Sequence, residues 1–222
     1  MIKNISNLGD AAVYCDFGEE INREINLNVV NYFRAIKEKK INGIINLTPS
    51  YNKLIISIDL NITNYEKIAK KIQEIQIYKN VEKKGEKIKV PICCEQGFAL
   101  DFNRLEKKLN LTRDQILDTF FSKEYFCYMN GFIAGMPFMG DIDISLRLER
   151  LKTPRVKVPK GSIGITEQFC NIYTFESPGG WNIIGNTPLN IFDKNNIQSP
   201  VRINPGDLVQ FYRISKREYD EY

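Results

Sequence analysis

The chain has 222 residues and a mass of 25.7 kDa, with 31 Lys and Arg against 27 Asp and Glu. It contains no histidine, which excludes Ser-His-Asp and Cys-His catalytic sites, an imidazole general base and His-ligated zinc. The net charge of +4 is small, and the Lys-rich stretch at Lys83 and Lys84 alternates with Glu82 and Glu86. The sequence therefore predicts no nucleic-acid partner.

No segment has the length and apolar composition of a signal peptide, and no run approaches the ~20 apolar residues of a membrane span. We therefore expect a cytoplasmic protein that does not bind membranes. The five cysteines, Cys15, Cys93, Cys94, Cys127 and Cys170, lack C-x-x-C spacing. Cysteines of this kind are typical of small buried side chains and predict neither a disulfide framework nor a metal site.

The apolar periodicity of the first part of the chain predicts a β-α-β-β-α-β order. The predicted strands cover residues 11–17, 44–47, 54–58 and 87–93, and the predicted helices cover 20–39 and 64–78. A capping-box pattern, Thr63 with Glu66, marks the start of the second helix. This order is the split βαβ arrangement of ferredoxin-like domains, so residues 1–93 are predicted to form an N-terminal α+β domain.

Two short helices, over 101–110 and 112–121, are predicted to form a helical connector at 94–122, and a second capping box joins Thr112 to Gln115. Residues 123–222 alternate short β-rich segments with Gly and Pro breaks. These segments are 125–132, 155–159, 161–165, 171–175, 181–185, 189–192 and 208–214. Because closure protects edge strands, frequent short strands favour a β-barrel domain over 123–222. The predicted fold class is α+β.

Two glycine-rich segments of the second half could bind a ligand, although neither a phosphate-loop nor a dinucleotide-binding motif occurs. In Gly161–Gly164, backbone N–H groups could approach an anion, but a tight hairpin is the alternative. In Ser177–Trp181, two glycines and a proline form a rigid loop that places the only tryptophan beside accessible amides. A core position for Trp181 is the alternative.

Three charged residues near these segments are candidate catalytic groups. Arg150 and Arg155 flank Pro154, and Glu176 directly precedes the rigid loop. A guanidinium can bind carboxylate or phosphate through two hydrogen bonds, and a positioned Glu can act as a general base. Surface ion pairing is the alternative for each. The apolar, glycine-punctuated segment 131–138 could line a pocket, form an interface or lie in the core.

Taken together, these clusters resemble the 5-oxoprolinase B-subunit family, which includes the sporulation-kinase inhibitor KipI and members labelled allophanate hydrolase subunit 1. The segments that carry the resemblance are GDAAVYCDFG (9–18), PICC (91–94), EYFCYMNGFIAGMPFMG (124–140), TPRVKVPKGSIGI (153–165), ESPGGWNIIGNTPLNIF (176–192) and NPGDLVQF (204–211). They run almost from one end of the chain to the other.

The resemblance implies an N-terminal α+β domain joined to a C-terminal cyclophilin-like β-barrel. It also implies two partners, a KipA-like C subunit and a LamB/YcsF-like A subunit, and use of ATP with Mg²⁺ to open 5-oxoproline to glutamate. The alternative function is a non-catalytic protein that binds and inhibits a sensor histidine kinase, as KipI does. Prolyl isomerisation, suggested by the barrel fold alone, is a weaker third hypothesis.

Residue chemistry assigns provisional roles. Arg150 and Arg155 would hold phosphate or carboxylate, Glu176 would orient water, and Ser162 with nearby amides would stabilise developing negative charge. The residues predicted to bind substrate or ATP are Gly161, Ser162, Gly164, Ser177, Gly179, Gly180, Trp181, Thr187 and Phe132.

The sequence departs from the family pattern at four places. Where the family favours G-F-x-P-G-F-x-Y-L-G, this chain has Ala134, Met136, Phe138 and Met139. Phe169–Asn171 replaces Gln-Thr-Gly, Asn186 replaces Arg, and Phe120 replaces a histidine of the preceding helix. These changes predict either a substrate other than 5-oxoproline or a non-catalytic binding role.

Overall fold

The computed structural model describes residues 1–77 and 85–222, which fall into two compact units, Met1–Lys84 and Gly85–Tyr222. The Lys83–Lys84 stretch lies outside the described residues. The strands are β1 (Asn4–Asn7), β2 (Ala12–Asp16), β3 (Ile44–Pro49), β4 (Lys53–Ile58), β5 (Lys87–Cys93), β6 (Glu124–Asn130), β7 (Pro137–Gly140), β8 (Arg155–Val158), β9 (Ser162–Thr166), β10 (Phe169–Ile172), β11 (Ser177–Gly179), β12 (Asn182–Asn186) and β13 (Leu208–Ile214). The α-helices are α1 (Arg23–Lys39), α2 (Tyr65–Gln73), α3 (Phe102–Leu109), α4 (Arg113–Phe121) and α5 (Lys216–Asp220).

The first unit is a four-stranded antiparallel sheet, in the order β1-β2-β4-β3, packed against α1 and α2. Alternate residues of β4, such as Leu54 and Ile56, are buried, as are Val29 of α1 and Ile68 of α2. These residues belong to one apolar cluster. The alternation of the strands and the helical spacing therefore put their apolar residues into the same core.

The last strand of the predicted β-α-β-β-α-β order was placed wrongly. β5 (Lys87–Cys93) belongs to the second unit, where it pairs with β12 and β13. The short strand β1, which we did not predict, pairs with β2 and takes the outer position of the first sheet. Periodicity indicates that a segment is a strand, but it does not indicate which strand it pairs with. The last four residues of β5 are all buried, which is typical of a strand covered on both faces.

The two predicted capping boxes have different outcomes. At α4, Thr112 and Gln115 form the reciprocal box as predicted. At α2, the N-cap is Asn64 rather than Thr63, and its side chain accepts from the Lys67 N–H at 3.1 Å. Thr63 is instead nearly buried and packs against Gly43. Asn is as good an N-cap as Thr, so adjacent candidates cannot be ranked by sequence alone.

The second unit is built on a closed barrel of seven strands in the order β10-β7-β6-β13-β5-β12-β9. β13 and β5 run parallel, and the other neighbouring strands run antiparallel. The predicted closure is therefore confirmed, whereas the cyclophilin-like detail stays a prediction. β8 and β11 form a separate two-stranded ribbon.

The predicted domain borders at residues 93 and 122 both fall inside this second unit. α3 and α4 lie where the sequence placed them, but their buried residues Leu105, Ile116 and Phe120 belong to the same apolar cluster as the barrel strands. The helices predicted as a connector are thus part of the barrel unit's core. Their apolar faces require a partner surface, and the barrel supplies it.

Two strand predictions in the second half were wrong. Segment 189–192 forms no strand; it contributes only an isolated bridge between Phe192 and Val201. Conversely, β7 (Pro137–Gly140) begins in the glycine-punctuated segment 131–138, where no strand was predicted, and extends two residues beyond it. β7 is short and begins with Pro, which weakens its sequence signal.

All five cysteines are buried and have free thiols; the sequence predicted burial for most of them. Burial raises the pKa of the Cys15 and Cys94 thiols to about 12. Over residues 1–77 and 85–222, no helix is long and apolar enough to cross a membrane.

Candidate functional site

The Gly161–Gly164 segment consists of the turn residue Gly161 and the first three residues of β9. The Gly161 N–H donates to the Tyr173 carbonyl at 2.7 Å, and the Ser162 N–H donates to the Pro159 carbonyl at 3.2 Å. The Gly164 N–H donates to Asn171 Oδ1 at 3.2 Å. Each amide proposed to approach an anion is therefore occupied within the fold, which is the hairpin alternative.

Ser162 and Thr187 stabilise the same turn. Ser162 Oγ is buried and accepts from Asn186 Nδ2 at 3.4 Å. The Thr187 N–H donates to the Gly161 carbonyl at 2.9 Å, and its hydroxyl oxygen accepts from the Leu189 N–H. Gly161 has a φ of +82°, and a Cβ there would lie 2.4 Å from the Thr187 carbonyl oxygen. Only glycine fits this position.

The second glycine-rich segment lines a cleft of about 470 Å³, within the size range of small-molecule sites. β11 pairs with β8 so that Gly179 lies opposite Arg155, and this ribbon forms one side of the cleft. The lining residues are Phe132, Met136, Phe138, Arg150, Pro154, Asn171, Tyr173, Pro178, Gly179, Gly180 and Trp181. The fold thus brings together five predicted site residues: Phe132, Arg150, Gly179, Gly180 and Trp181.

Aromatic side chains form the apolar walls of this cleft. Trp181 packs edge-to-face against Phe138, with ring centroids 5.5 Å apart. Phe132 is 69% exposed although it lines the cleft, and its backbone has a φ of +66°. A bulky residue in this left-handed conformation is uncommon and is concentrated at functional sites.

Arg150 is the cation best placed to bind a ligand. It lines the cleft, and its guanidinium Nε would lie 3.5 Å from a Cβ built on Gly180. Among the residues that the structure describes, Arg150 forms no hydrogen bond or ion pair. Its guanidinium is therefore available to a carboxylate or phosphate.

Arg155 instead holds the fold together. Its Nη2 lies 2.6 Å from Asp101 Oδ1, and Asp101 Oδ2 accepts from the Ile183 N–H at 2.6 Å. Asp101 is only 5% exposed, so this pair links β8, β12 and the start of α3. Nη1 of Arg155 is buried without a partner.

The remaining predicted residues lie outside the cleft lining. Glu176 forms an ion pair with Lys157 at 3.0 Å, and both side chains are more than half exposed. This is the surface alternative considered for Glu176. Ser177 Oγ is buried without a partner beside the cleft residue Pro178.

Tyr173 and Asn171 are cleft residues that we did not assign to the site from sequence. Burial raises the pKa of Tyr173, while the Asn171 side chain, Arg150, the Trp181 N–H and Arg155 act to lower it. Asn171 is fully buried, and its Nδ2 has no hydrogen-bond partner. An Asn in an otherwise apolar strand was the signal in the sequence.

Contacts within the fold explain two of the departures from the family pattern, at Phe120 and at Asn186. Phe120, at the position of the family's histidine, is fully buried and stacks on Tyr125 and Phe211 at 4.9 and 5.2 Å. Asn186 Nδ2 donates to the Lys160 carbonyl, and its Oδ1 accepts from Tyr219. Neither lines the cleft, whereas Asn171 does.

Two other cavities are weaker candidates for a ligand-binding site. One of about 500 Å³ lies at the end of α1 and along β3, and one of about 780 Å³ lies between α4 and β13. Within the described part of the chain, neither is lined by a buried polar atom that lacks a partner. The same part of the chain holds no cluster of three metal-ligating Cys, Asp or Glu residues.

Comparisons with known proteins agree with this architecture. Residues 3–202 match the family described as carboxyltransferase domain, subdomain C and D. The B subunit of 5-oxoprolinase from Bacillus subtilis is 31% identical over 98% of this chain and 95% of its own length. The B subunit from Haemophilus influenzae is 28% identical over 94% of this chain and 96% of its own length.

Among solved structures, TTHA0988 superimposes with a TM-score of 0.84 over 93% of this chain, at 23% identity. This chain spans about 40% of the TTHA0988 chain. At that identity the likeness shows the fold alone.

The barrel, its cleft and the match over most of the chain define a protein of the carboxyltransferase-domain class, subdomains C and D. Within this class, the chain belongs to the 5-oxoprolinase B-subunit family.

Proposed function

We propose that the chain is one component of an ATP-dependent amidohydrolase that opens 5-oxoproline to glutamate together with separate C and A subunits. The similarity to the 5-oxoprolinase B subunit of Bacillus subtilis, at 31% identity over nearly the full length of both chains, carries this proposal. A cytoplasmic location follows as part of it.

In this function, the cleft is the part of the active site that this chain contributes. Arg150 binds the substrate carboxylate, because its guanidinium faces the cleft without a partner among the described residues. Trp181 and Phe138 provide an apolar aromatic surface for a small ring. ATP would supply a phosphoryl group that activates the lactam oxygen, with ADP and then inorganic phosphate as the leaving groups. Water would supply the oxygen of the new carboxylate, and the ring nitrogen would take a proton as the C–N bond breaks.

The nucleotide and its Mg²⁺ belong, in this proposal, to the partner subunits. The amides of Gly161, Ser162 and Gly164 are used within the fold, so they do not support a phosphate site here. Arg155 is tied to Asp101 and Glu176 to Lys157, which favours structural roles for both. An active site shared between subunits fits the names of the two bacterial relatives, each of which is one subunit of its enzyme.

The test is reconstitution. The chain is co-expressed with its candidate C and A subunits, and glutamate formation from 5-oxoproline is measured with and without ATP. We expect ATP-dependent glutamate formation, and we expect Arg150→Ala to lower kcat/KM at least about tenfold. Arg217→Ala is the matched control, because Arg217 is highly exposed and pairs with Glu221, the C-cap residue of α5. A complex that assembles but forms no glutamate would overturn the proposal.

The kinase-inhibitor hypothesis stays a prediction, since no observation on the described residues favours it.

A further inference from the structure

The Gly161–Ser162 turn fixes the backbone of Tyr173. The Tyr173 carbonyl accepts from the Gly161 N–H at 2.7 Å, and the Tyr173 N–H donates to the Ser162 carbonyl at 2.9 Å. Two glycines make room for its side chain. A Cβ on Gly179 would lie 2.2 Å from the Tyr173 hydroxyl oxygen, and one on Gly164 would lie 3.3 Å from its ring. The phenol is therefore held in one place at the cleft wall.

Asn171 presents a buried donor beside this phenol. Its Oδ1 accepts from the Gly164 N–H, which fixes the orientation of the amide and directs Nδ2 away from Gly164. Nδ2 is buried and makes no full hydrogen bond within the fold, but the Asn171 side chain lies close enough to the Tyr173 hydroxyl to lower the pKa of Tyr173. Because buried donors are nearly always satisfied, this incomplete contact in the lining of a cleft points to a hydroxyl whose orientation a ligand completes.

Four groups that act on the Tyr173 hydroxyl are hydrogen-bond donors or cations. Asn171, the Trp181 N–H, Arg150 and Arg155 each act to lower the pKa of Tyr173 by favouring its anionic form. The carboxylate of Asp101 is engaged with Arg155 and the Ile183 N–H. A hydroxyl oxygen faced by donors acts as the acceptor, which leaves its own proton for a group in the cleft.

We propose that Tyr173 is a ligand-binding residue whose hydroxyl donates to a carbonyl oxygen of a small ligand that also carries a carboxylate, bound by Arg150. Asn171 is a positioning residue that keeps the Tyr173 proton directed into the cleft. The choice of ligand class rests on the proposed function, because it takes the cleft as the substrate site. Acceptor oxygens on the ligand complement a lining that offers donors and cations.

The test measures dissociation constants of the full chain for three probes by calorimetry or NMR titration. L-5-oxoproline carries both a ring carbonyl and a carboxylate, 2-pyrrolidinone lacks the carboxylate, and L-proline lacks the carbonyl. We expect Tyr173→Phe to weaken 5-oxoproline and pyrrolidinone about tenfold and to leave proline unchanged. Arg150→Ala should weaken 5-oxoproline and proline about tenfold and leave pyrrolidinone unchanged.

Asn171→Asp tests the positioning role. It keeps the side-chain shape and the acceptor for the Gly164 N–H, but it replaces the Nδ2 donor with an acceptor. Tyr173 would then donate to residue 171, and binding of 5-oxoproline should weaken about tenfold at about pH 8. Because a buried carboxyl has a raised pKa, binding should recover as the pH falls towards about 5 and the new group becomes a donor. Wild-type binding should stay flat over this range, and a merely structural defect would not restore affinity at low pH.

Several results would overturn the inference: no binding of 5-oxoproline to the wild-type chain, or equal losses for all three probes in both single variants. An unchanged affinity in Tyr173→Phe would do the same. If Asn171→Asp does not fold, Tyr173→Phe still decides, because it keeps the ring and its packing. Probe binding without turnover in the reconstituted complex would refute the proposed function alone. Turnover without probe binding to this cleft would refute the inference alone.

Discussion

The two glycine-rich segments of the barrel unit look alike in sequence but have different roles. In Gly161–Gly164, the amides are consumed by backbone and side-chain acceptors, and a Cβ at Gly161 would strike the Thr187 carbonyl. In Ser177–Trp181, the glycines border a cleft whose polar atoms include donors without partners. The first segment positions Tyr173 and the second leaves room for it. Unsatisfied polar groups, rather than glycine content, therefore distinguish the site from its support.

This contrast is sharpest for paired glycine substitutions. Gly161→Ala places a Cβ at a φ of +82° and 2.4 Å from a backbone oxygen, so we expect a loss of about 2–3 kcal/mol in the free energy of unfolding. Gly180→Ala is the control, because its nearest neighbour would lie at 3.5 Å, and it should change stability by less than about 0.5 kcal/mol. Denaturant unfolding of both variants measures the difference. Equal free energies of unfolding for the two variants would contradict the structural role assigned to Gly161.

Substitution of Arg155 and of Arg150 should likewise have different effects on stability. Arg155→Ala leaves the Asp101 carboxylate, which is 5% exposed, without its cation, and we expect a loss of about 2 kcal/mol. Arg150→Ala breaks no pair within the described residues and should leave stability within about 0.5 kcal/mol. Thermal or denaturant unfolding provides the comparison. An Arg150→Ala loss as large as that of Arg155→Ala would show that Arg150 also supports the fold.

Alkaline pH offers a further test of the buried phenol. The pKa of Tyr173 is raised, so the unfolded chain releases this proton near its usual pKa of about 10 while the folded chain still holds it. Its contribution to stability is present below that pH and is lost as pH rises through the folded-state pKa. Between about pH 9 and 11, the wild type should therefore lose unfolding free energy more steeply than Tyr173→Phe. Parallel profiles would contradict the raised pKa.

The smallest effect is expected at Glu176. Because Glu176 and Lys157 are mostly exposed, Glu176→Gln should change stability by less than about 0.5 kcal/mol. In the reconstituted complex, it should leave kcat within about a factor of two. A loss of tenfold or more in kcat would restore the water-orienting role that residue chemistry suggests for it.

Much of the local structure follows from sequence because it depends on neighbouring residues. The helices α1, α3 and α4, the Thr112 capping box and the strand at residues 53–58 all arise from spacing within a few turns or residue pairs. The candidate site was predictable where a residue type is distinctive, as at Trp181, Arg150 and the paired glycines. Asn171 stands out as an Asn in an apolar strand, but the sequence does not show which of its polar atoms lack partners or that Tyr173 lies beside it, so both residues were missed.

By itself, the absence of histidine determined which chemistries the chain does not use, and the motif series determined its family. Tertiary structure decided the rest. The tertiary structure shows that β5 pairs within the barrel and that Phe120 packs in the core. It also shows that Arg155 stabilises the fold whereas Arg150 lines the cleft. The physical reason is that strand pairing, burial and hydrogen-bond satisfaction depend on residues far apart in the chain, which periodicity and local motifs do not register.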